Sequence, residues 1–107
     1  DRDRSKRSKM GAVAERLADF SIITSDNPRS EKPERIIAEI LEGMRGKDRL
    51  RVEVNRRAAI EAALRAARSD DVILVAGKGH ESVQIFSDRI EEFDDRQVVK
   101  ELLNGAA

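Results

Sequence analysis

Apolar positions along the chain fall either into short unbroken runs or into a repeat of three and four residues. Residues 20–24 and 72–75 are short, β-branched and apolar, which is typical of buried strands. The run at 72–75 is the more apolar of the two and is expected to lie at the centre of a sheet. Residues 50–54 alternate and predict a third strand. Residues 83–86 and 89–93 flank a polar turn and predict a hairpin, or a short strand and turn, at a sheet edge.

Helical spacing fills the stretches between these runs. The apolar stripes are Met10, Val13, Ala14 and Leu17; Ile36, Ile37, Ile40, Leu41 and Met44; Ala58, Ala59, Ala62, Ala63 and Ala66 with Ile60 and Leu64; and Val98, Val99, Leu102 and Leu103. Asn55 is expected to cap the third helix and Asp94 or Asp95 the fourth. The first stripe is expected to cover a sheet. The alternation predicts a three-layer α/β domain with a mainly parallel sheet and helices on both faces.

Two polar loops follow the two most apolar strands. Asp26, Asn27, Pro28 and Arg29 follow the first strand, and a glycine-containing stretch at 77–81 follows the central one. Loops at the carboxyl ends of parallel strands lie on one edge of a sheet, where they can converge on one small molecule. Asn and Arg donors suit a carboxylate, and a carboxylate with exposed carbonyls suits an ammonium. The loops therefore predict a holder for the zwitterionic head of an amino acid.

Composition restricts the classes of function. The 107 residues fit a single domain, and 39% charged with 39% hydrophobic residues fit a soluble one. No run is long enough to cross a bilayer, no signal peptide is visible, and there is no Cys, so we expect a cytoplasmic protein. Equal numbers of basic and acidic residues, 21 of each, give no reason to expect nucleic acid as a partner. A basic run at 1–9 and an acidic run at 88–96 are interpreted first as solvated faces.

Each polar residue of the loops also has an ordinary structural interpretation. His80 is the only histidine and is expected to be hydrogen-bonded rather than catalytic. Asp26 is interpreted as a turn residue, and Arg29 as an exposed residue of the same turn. Glu81 is interpreted as a residue of the first turn of a helix, where the helix dipole favours a carboxylate. The glycines at 77 and 79 lack the fuller spacing of a nucleotide-binding glycine motif. The joint occurrence of these residues at two strand ends favours ligand binding over the separate interpretations.

Three motifs in order give the chain a family resemblance. They are Asp1-Arg-Asp3 with Lys6-Arg7 and Met10-Gly11, then Asp26-Asn-Pro-Arg29, then Gly77-Lys-Gly-His-Glu81 with Gln84. Together they resemble the C-terminal, Rossmann-like domain of the Mur ligases over almost the whole chain. The Asp-Asn-Pro-Arg form resembles the members that add diaminopimelate. The strand that should precede residue 1 in such a domain is expected to be absent from this sequence, so residues 1–107 are interpreted as one domain of a three-domain enzyme.

The resemblance implies an activity for the whole enzyme. Such ligases use ATP and Mg²⁺ to activate a carboxylate of UDP-N-acetylmuramoyl-L-alanyl-D-glutamate as an acyl phosphate, which the amine of meso-diaminopimelate then attacks. The phosphate loop, the Mg²⁺ ligands and the family's modified lysine are expected in the N-terminal and central domains, outside this chain. We therefore expect no catalytic residue here and no ligation by the chain alone.

The resemblance also assigns binding residues. Those implied to hold meso-diaminopimelate or to shape its loop are Arg2, Asp26, Asn27, Pro28, Arg29, Gly77 and Glu81. Asp1, Lys6 and Arg7 are implied to contact the nucleotide or a phosphate, with a neighbouring domain as the alternative for Lys6 and Arg7. An unpaired buried Arg29 would disfavour lysine, which lacks the far carboxylate of diaminopimelate.

Three other functions stay open on the sequence alone. A lysine-adding Mur ligase would use the same architecture for a different amino acid. A stand-alone amino-acid-binding module would keep the loops without the ligase. A small interaction domain would use the basic run at 1–9 for an acidic partner, and its binding would depend steeply on salt.

Overall fold

The computed structural model describes residues 5–46, 48–78 and 81–105. Its elements in chain order are α1 (Ser5–Leu17), β1 (Ser21–Ile23), α2 (Pro33–Leu41), β2 (Leu50–Val52), α3 (Arg56–Ala66), β3 (Val83–Ile85), β4 (Ile90–Glu92) and α4 (Asp95–Gly105). β1 and β2 pair in parallel with Ser21 opposite Leu50, and β3 and β4 form an antiparallel hairpin. The predicted helices, the first parallel pair and the hairpin are therefore present. None of the helices among these residues is long and apolar enough to span a bilayer.

Local signals place the helix starts. The Asn55 side chain accepts a hydrogen bond of 2.9 Å from the Ala58 backbone N–H, which is the predicted cap of α3. Asp94 rather than Asp95 caps α4, because its carboxylate accepts from the Arg96 N–H at 2.9 Å. Asp95 is the first residue of α4 and is buried.

The buried apolar residues lie on the three later helices. Among the described residues these are Ile37 of α2, Ala59 and Ile60 of α3, and Val98 of α4. α3 contacts both α4 and β1, while α1 contacts α2. α3 therefore joins α4 to the short parallel sheet, and α2 packs on α1.

The predicted central strand at 72–75 is not formed in the described part of the chain. These residues form no strand, and Val72 and Leu74 are 94% and 86% exposed. Apolar side chains indicate a tendency to be buried. A strand also needs a neighbouring strand with which its backbone N–H and C=O groups can form hydrogen bonds. The described residues give this segment no strand neighbour.

The predicted burial of the first helix's stripe is also wrong. Met10, Val13 and Leu17 are 54%, 44% and 74% exposed, and Phe20 before β1 is 55% exposed. α1 packs on α2 through a different face, the one that carries Gly11, which is buried. Periodicity located the helix correctly but could not say which face meets a neighbour.

Because residues 72–74 are apolar and exposed, we expect the isolated chain to self-associate. We expect Val72→Thr with Leu74→Thr to lower aggregation and the fluorescence of a bound hydrophobic dye, because exposed apolar patches promote association. Stability should change by less than about 0.5 kcal/mol, since surface substitutions rarely do more. Light scattering and thermal unfolding measure the two effects. Ile37→Thr, at a position 3% exposed, is the buried control and should lose stability instead. An equal loss in the double variant would contradict the expectation.

Candidate functional site

The two polar loops meet, as their placement after apolar runs predicts. Asn27 Nδ2 of the first loop donates to Glu81 Oε1 of the second at 3.2 Å. Lys78 Nζ lies 3.4 Å from Asp26 Oδ1 and 3.2 Å from Asn27 Oδ1. The first loop, residues 26–29, and the described residues of the second loop, Gly77, Lys78 and Glu81, therefore form one polar cluster.

The first loop is fixed to the hairpin by the two backbone groups of Ile85. The Ile85 N–H donates to Asn27 Oδ1 at 2.9 Å, and the Ile85 carbonyl accepts from the Arg29 N–H at 2.9 Å. Pro28 between them is buried and holds its own φ near −65°. Arg29 has φ 56°, the left-handed conformation that non-glycine residues adopt at a cost of about 1–2 kcal/mol. The contacts of Ile85 with Asn27 and with the Arg29 N–H hold Arg29 in this conformation.

The second loop needs a glycine at its start. Gly77 has φ +110°, and a Cβ there would lie 3.6 Å from the Asp26 carboxylate. The available space would accept a methyl group, so the backbone conformation is what requires glycine. The Glu81 N–H then donates to the Lys78 carbonyl at 3.0 Å, which turns the chain towards β3.

Arg56 connects the chain segments below the loops. Its guanidinium donates to the Ser25 carbonyl at 3.0 Å and to the Ala76 carbonyl at 3.1 Å. It also binds Asp95 through two hydrogen bonds of 2.8 and 2.6 Å. Gln84 extends this hydrogen-bond network, because its amide donates to Ser25 Oγ at 2.9 Å. Because Ser25 precedes the first loop and Ala76 precedes the second, one side chain sets the relation between the two loops.

The loops offer both kinds of polar group to a ligand. Arg29 is half-buried, and no described residue accepts a hydrogen bond from its guanidinium. Glu81 is exposed and carries the carboxylate of the second loop. A half-buried guanidinium without a carboxylate partner favours an anionic ligand. The surface can therefore bind a molecule with a carboxylate and an ammonium.

The structure brings six of the predicted binding residues together. They are Asp26, Asn27, Pro28 and Arg29 in the first loop with Gly77 and Glu81 in the second. The predictions for Asp1, Arg2 and His80 lie outside the described residues. Lys6 is exposed on α1. The binding role of every one of these residues stays a prediction.

Arg7, predicted to contact a phosphate or a neighbouring domain, lies in an internal ion-pair cluster. It is 7% exposed, binds both carboxylate oxygens of Glu31 at 2.7 and 2.9 Å, and donates to Glu39 at 2.9 Å. The hydrogen bonds that Arg7 donates to Glu31 raise the pKa of Arg7 above its usual value, with burial opposing the shift and Glu39 adding to it. Arg7 thus links α1 to α2 and to the segment after the first loop, and a phosphate contact would require it to leave these carboxylates.

Sequence reasoning missed the buried cations. The sequence patterns assign no role to Arg56 and make Asp95 only a candidate cap. One signal was present: a basic residue at a helix N-terminus opposes the helix dipole and needs a compensating anion. Arg56 stands at that position of α3, and Asp95 supplies the anion.

The described residues do not fit a metal ion. Among residues 5–46, 48–78 and 81–105, no group of three acidic or histidine side chains is placed to hold one. This part of the chain therefore assigns Mg²⁺ no ligand.

Comparison with known proteins agrees with the motifs. Residues 1–79 match the family described as Mur ligase, glutamate ligase domain. Relatives named UDP-N-acetylmuramoyl-L-alanyl-D-glutamate--2,6-diaminopimelate ligase occur in Syntrophomonas wolfei, at 53% identity over 98% of this chain, and in Caldanaerobacter subterraneus, at 55% over 96%. A solved structure of a ligase with the same name matches with a TM-score of 0.92 at 37% identity over 99% of this chain.

The chain spans 22% of the length of both relatives and of the solved structure. The match to the family covers residues 1–79 and so includes the first loop and Gly77 of the second. The fold is that of the matched ligase over nearly all of the chain. This chain belongs to the Mur ligase family.

Proposed function

We propose that the chain is the amino-acid-binding domain of an ATP-dependent ligase that adds meso-diaminopimelate to UDP-N-acetylmuramoyl-L-alanyl-D-glutamate. The observation that carries the proposal is the contact between the loops, with Asn27 3.2 Å from Glu81. A donor for a carboxylate and an acceptor for an ammonium then stand on one surface. The names of the relatives, which share about half of this chain's residues, support diaminopimelate as the amino acid.

Arg29 and Glu81 carry opposite parts of the recognition in this proposal. Arg29 and Asn27 bind a carboxylate of diaminopimelate, and Glu81 with the exposed backbone at Gly77 binds an ammonium group. Asp26 and Pro28 shape the first loop, and Arg2 adds a contact from outside the described residues. Lysine would leave a half-buried guanidinium without an anion, so the same residues would disfavour it.

The domain contributes positioning to the reaction. It holds the amine of diaminopimelate towards the acyl phosphate formed with ATP elsewhere in the whole enzyme, and it screens that intermediate from water. No described residue is assigned as a general acid or base. The phosphate loop, the ligands of Mg²⁺ and the site for the UDP precursor belong to the other domains, and the enzyme works in the cytoplasm. The chain alone should give no ligation.

The three-layer α/β arrangement with a mainly parallel sheet is part of the same proposal. Arg56 binds the Ser25 carbonyl after β1 and the Ala76 carbonyl after residues 72–75. A guanidinium can reach both only if the two segments end at the same edge, as parallel strands do. In the whole enzyme residues 72–75 would then be a strand of this sheet.

Substitution of Arg29 in the full-length enzyme tests the proposal. We expect Arg29→Met to raise KM for meso-diaminopimelate by about 10- to 100-fold, because a charged hydrogen-bond partner is lost. KM for ATP should stay within about twofold, and the preference for diaminopimelate over lysine should shrink. Steady-state kinetics with both amino acids give the values. Arg96→Met, at an exposed position of α4, is the matched control. Unchanged KM for diaminopimelate in the Arg29 variant would defeat the proposal.

A further inference from the structure

Lys78 is a lysine removed from solvent beside the proposed binding surface. Its side chain is 0% exposed, and the whole residue is 3% exposed. Lysine is almost never buried to this degree unless its ammonium is paired, because desolvating the charge is costly. Such a placement in a binding loop needs a specific set of acceptors.

The ammonium of Lys78 makes two hydrogen bonds and one ion pair. It donates to Asn27 Oδ1 at 3.2 Å and to the backbone carbonyl of Val83, and it lies 3.4 Å from the Asp26 carboxylate. An ammonium donates three hydrogen bonds and accepts none. The Lys78 side chain is 0% exposed among these partners, so its role in binding must pass through its neighbours.

Asn27 is the neighbour whose chemistry Lys78 fixes. Its Oδ1 accepts from Lys78 Nζ and from the Ile85 N–H at 2.9 Å, so both of its lone pairs are used. A flipped amide would place an N–H group against two donors, which is unfavourable. Nδ2 consequently points away from Lys78, donates one hydrogen to Glu81 at 3.2 Å and has a second hydrogen to give.

We propose that Lys78 is a positioning residue of the amino-acid site, because it locks the Asn27 amide with its donor side towards the ligand. The inference rests on the proposed function. Lys78 makes Asn27 a donor of fixed direction, suited to a carboxylate, and leaves Glu81 as the acceptor. Loss of Lys78 would leave the Ile85 N–H as the one described donor to Asn27 Oδ1, so the amide would be held less firmly in this orientation.

The test measures KM values in the full-length enzyme. We expect Lys78→Met to raise KM for meso-diaminopimelate about tenfold or more, with KM for ATP and for the UDP precursor within about twofold. Lys78→Gln, whose amide can still donate to Asn27, should show a smaller rise. Lys100→Met, at an exposed position on α4, is the control and should match the unsubstituted enzyme. Thermal unfolding of each variant separates folding from binding.

A double variant shows whether Lys78 acts through Asn27. Asn27→Ala removes the amide, so adding Lys78→Met to it should raise KM for diaminopimelate no further. Independent, multiplying effects would overturn the proposal, as would equal rises in all three KM values. If neither Lys78 variant folds, Lys78 is needed for folding only, and the proposal is overturned as well. If the unsubstituted enzyme does not use diaminopimelate, the proposed function fails, which is a separate result.

Discussion

Replacing Arg56 with alanine is expected to destabilise the chain by about 3–5 kcal/mol, the cost typical of breaking a buried ion pair from one side. The Arg56 and Asp95 side chains are 3% and 7% exposed and joined by a bond of 2.6 Å. Alanine would leave the Asp95 carboxylate buried without its cation. It would also remove donors from the Ser25 and Ala76 carbonyls.

The neighbouring residue provides a matched control. Arg57 also binds an acidic residue of α4, Glu101, at 2.9 Å, but the two side chains are 48% and 49% exposed. Solvent screens exposed pairs, so Arg57→Ala should cost far less stability than Arg56→Ala. Urea unfolding of the two variants gives both free energies. Equal costs at the two positions would show that burial does not decide the strength of these pairs.

A combined substitution separates stability from loop placement. Arg56→Met with Asp95→Leu removes both charges at once, and buried pairs replaced in this way are often neutral or better for stability. The hydrogen bonds to Ser25 and Ala76 would still be lost, so the two loops would lose their common support. We expect a double variant that folds but binds the amino acid poorly, measured as KM in the full-length enzyme. If the double variant keeps the KM of the unsubstituted enzyme for the amino acid, Arg56 contributes to stability and not to the placement of the loops.

Local chemistry explains why the loops were predictable from sequence. Pro28 stiffens the turn that carries Asn27, and Gly77 supplies a φ of +110°. Each signal is contained within a few residues, and each follows an apolar run. The contact between the loops follows from parallel strand ends meeting at one edge, which is a rule of the fold class rather than of this sequence.

Partners distant in sequence explain what could not be predicted. Arg56 binds Asp95, 39 residues away, and Lys78 binds Asn27, 51 residues away. Nothing local to either residue says which carboxylate or amide it will meet. Residues 72–75 show the same limit for backbone groups, because their apolar character predicts burial but not the presence of a neighbouring strand.

Adding a methyl group at Gly11 or Gly43 is expected to destabilise the chain by about 3 kcal/mol, at the upper end of ordinary overpacking. A Cβ at Gly11 would lie 2.0 Å from the Ile40 carbonyl oxygen, and one at Gly43 would lie 1.7 Å from that of Ser8. Both contacts are with backbone, so no side-chain rotation relieves them. α1 and α2 would have to move apart, and the Arg7 ion pairs that join them would be strained as well.

The sign of the effect makes Gly11→Ala a sharp test. In the middle of a helix this substitution normally stabilises by about 0.5–1 kcal/mol, because glycine loses more backbone entropy on folding. Close packing of α1 on α2 should reverse that gain and lower the melting temperature by roughly 12–24 °C for about 3 kcal/mol. Gly105→Ala is the control, since a Cβ there meets nothing within 4 Å. A higher melting temperature for Gly11→Ala, measured by circular dichroism, would mean that the helices do not approach through these glycines.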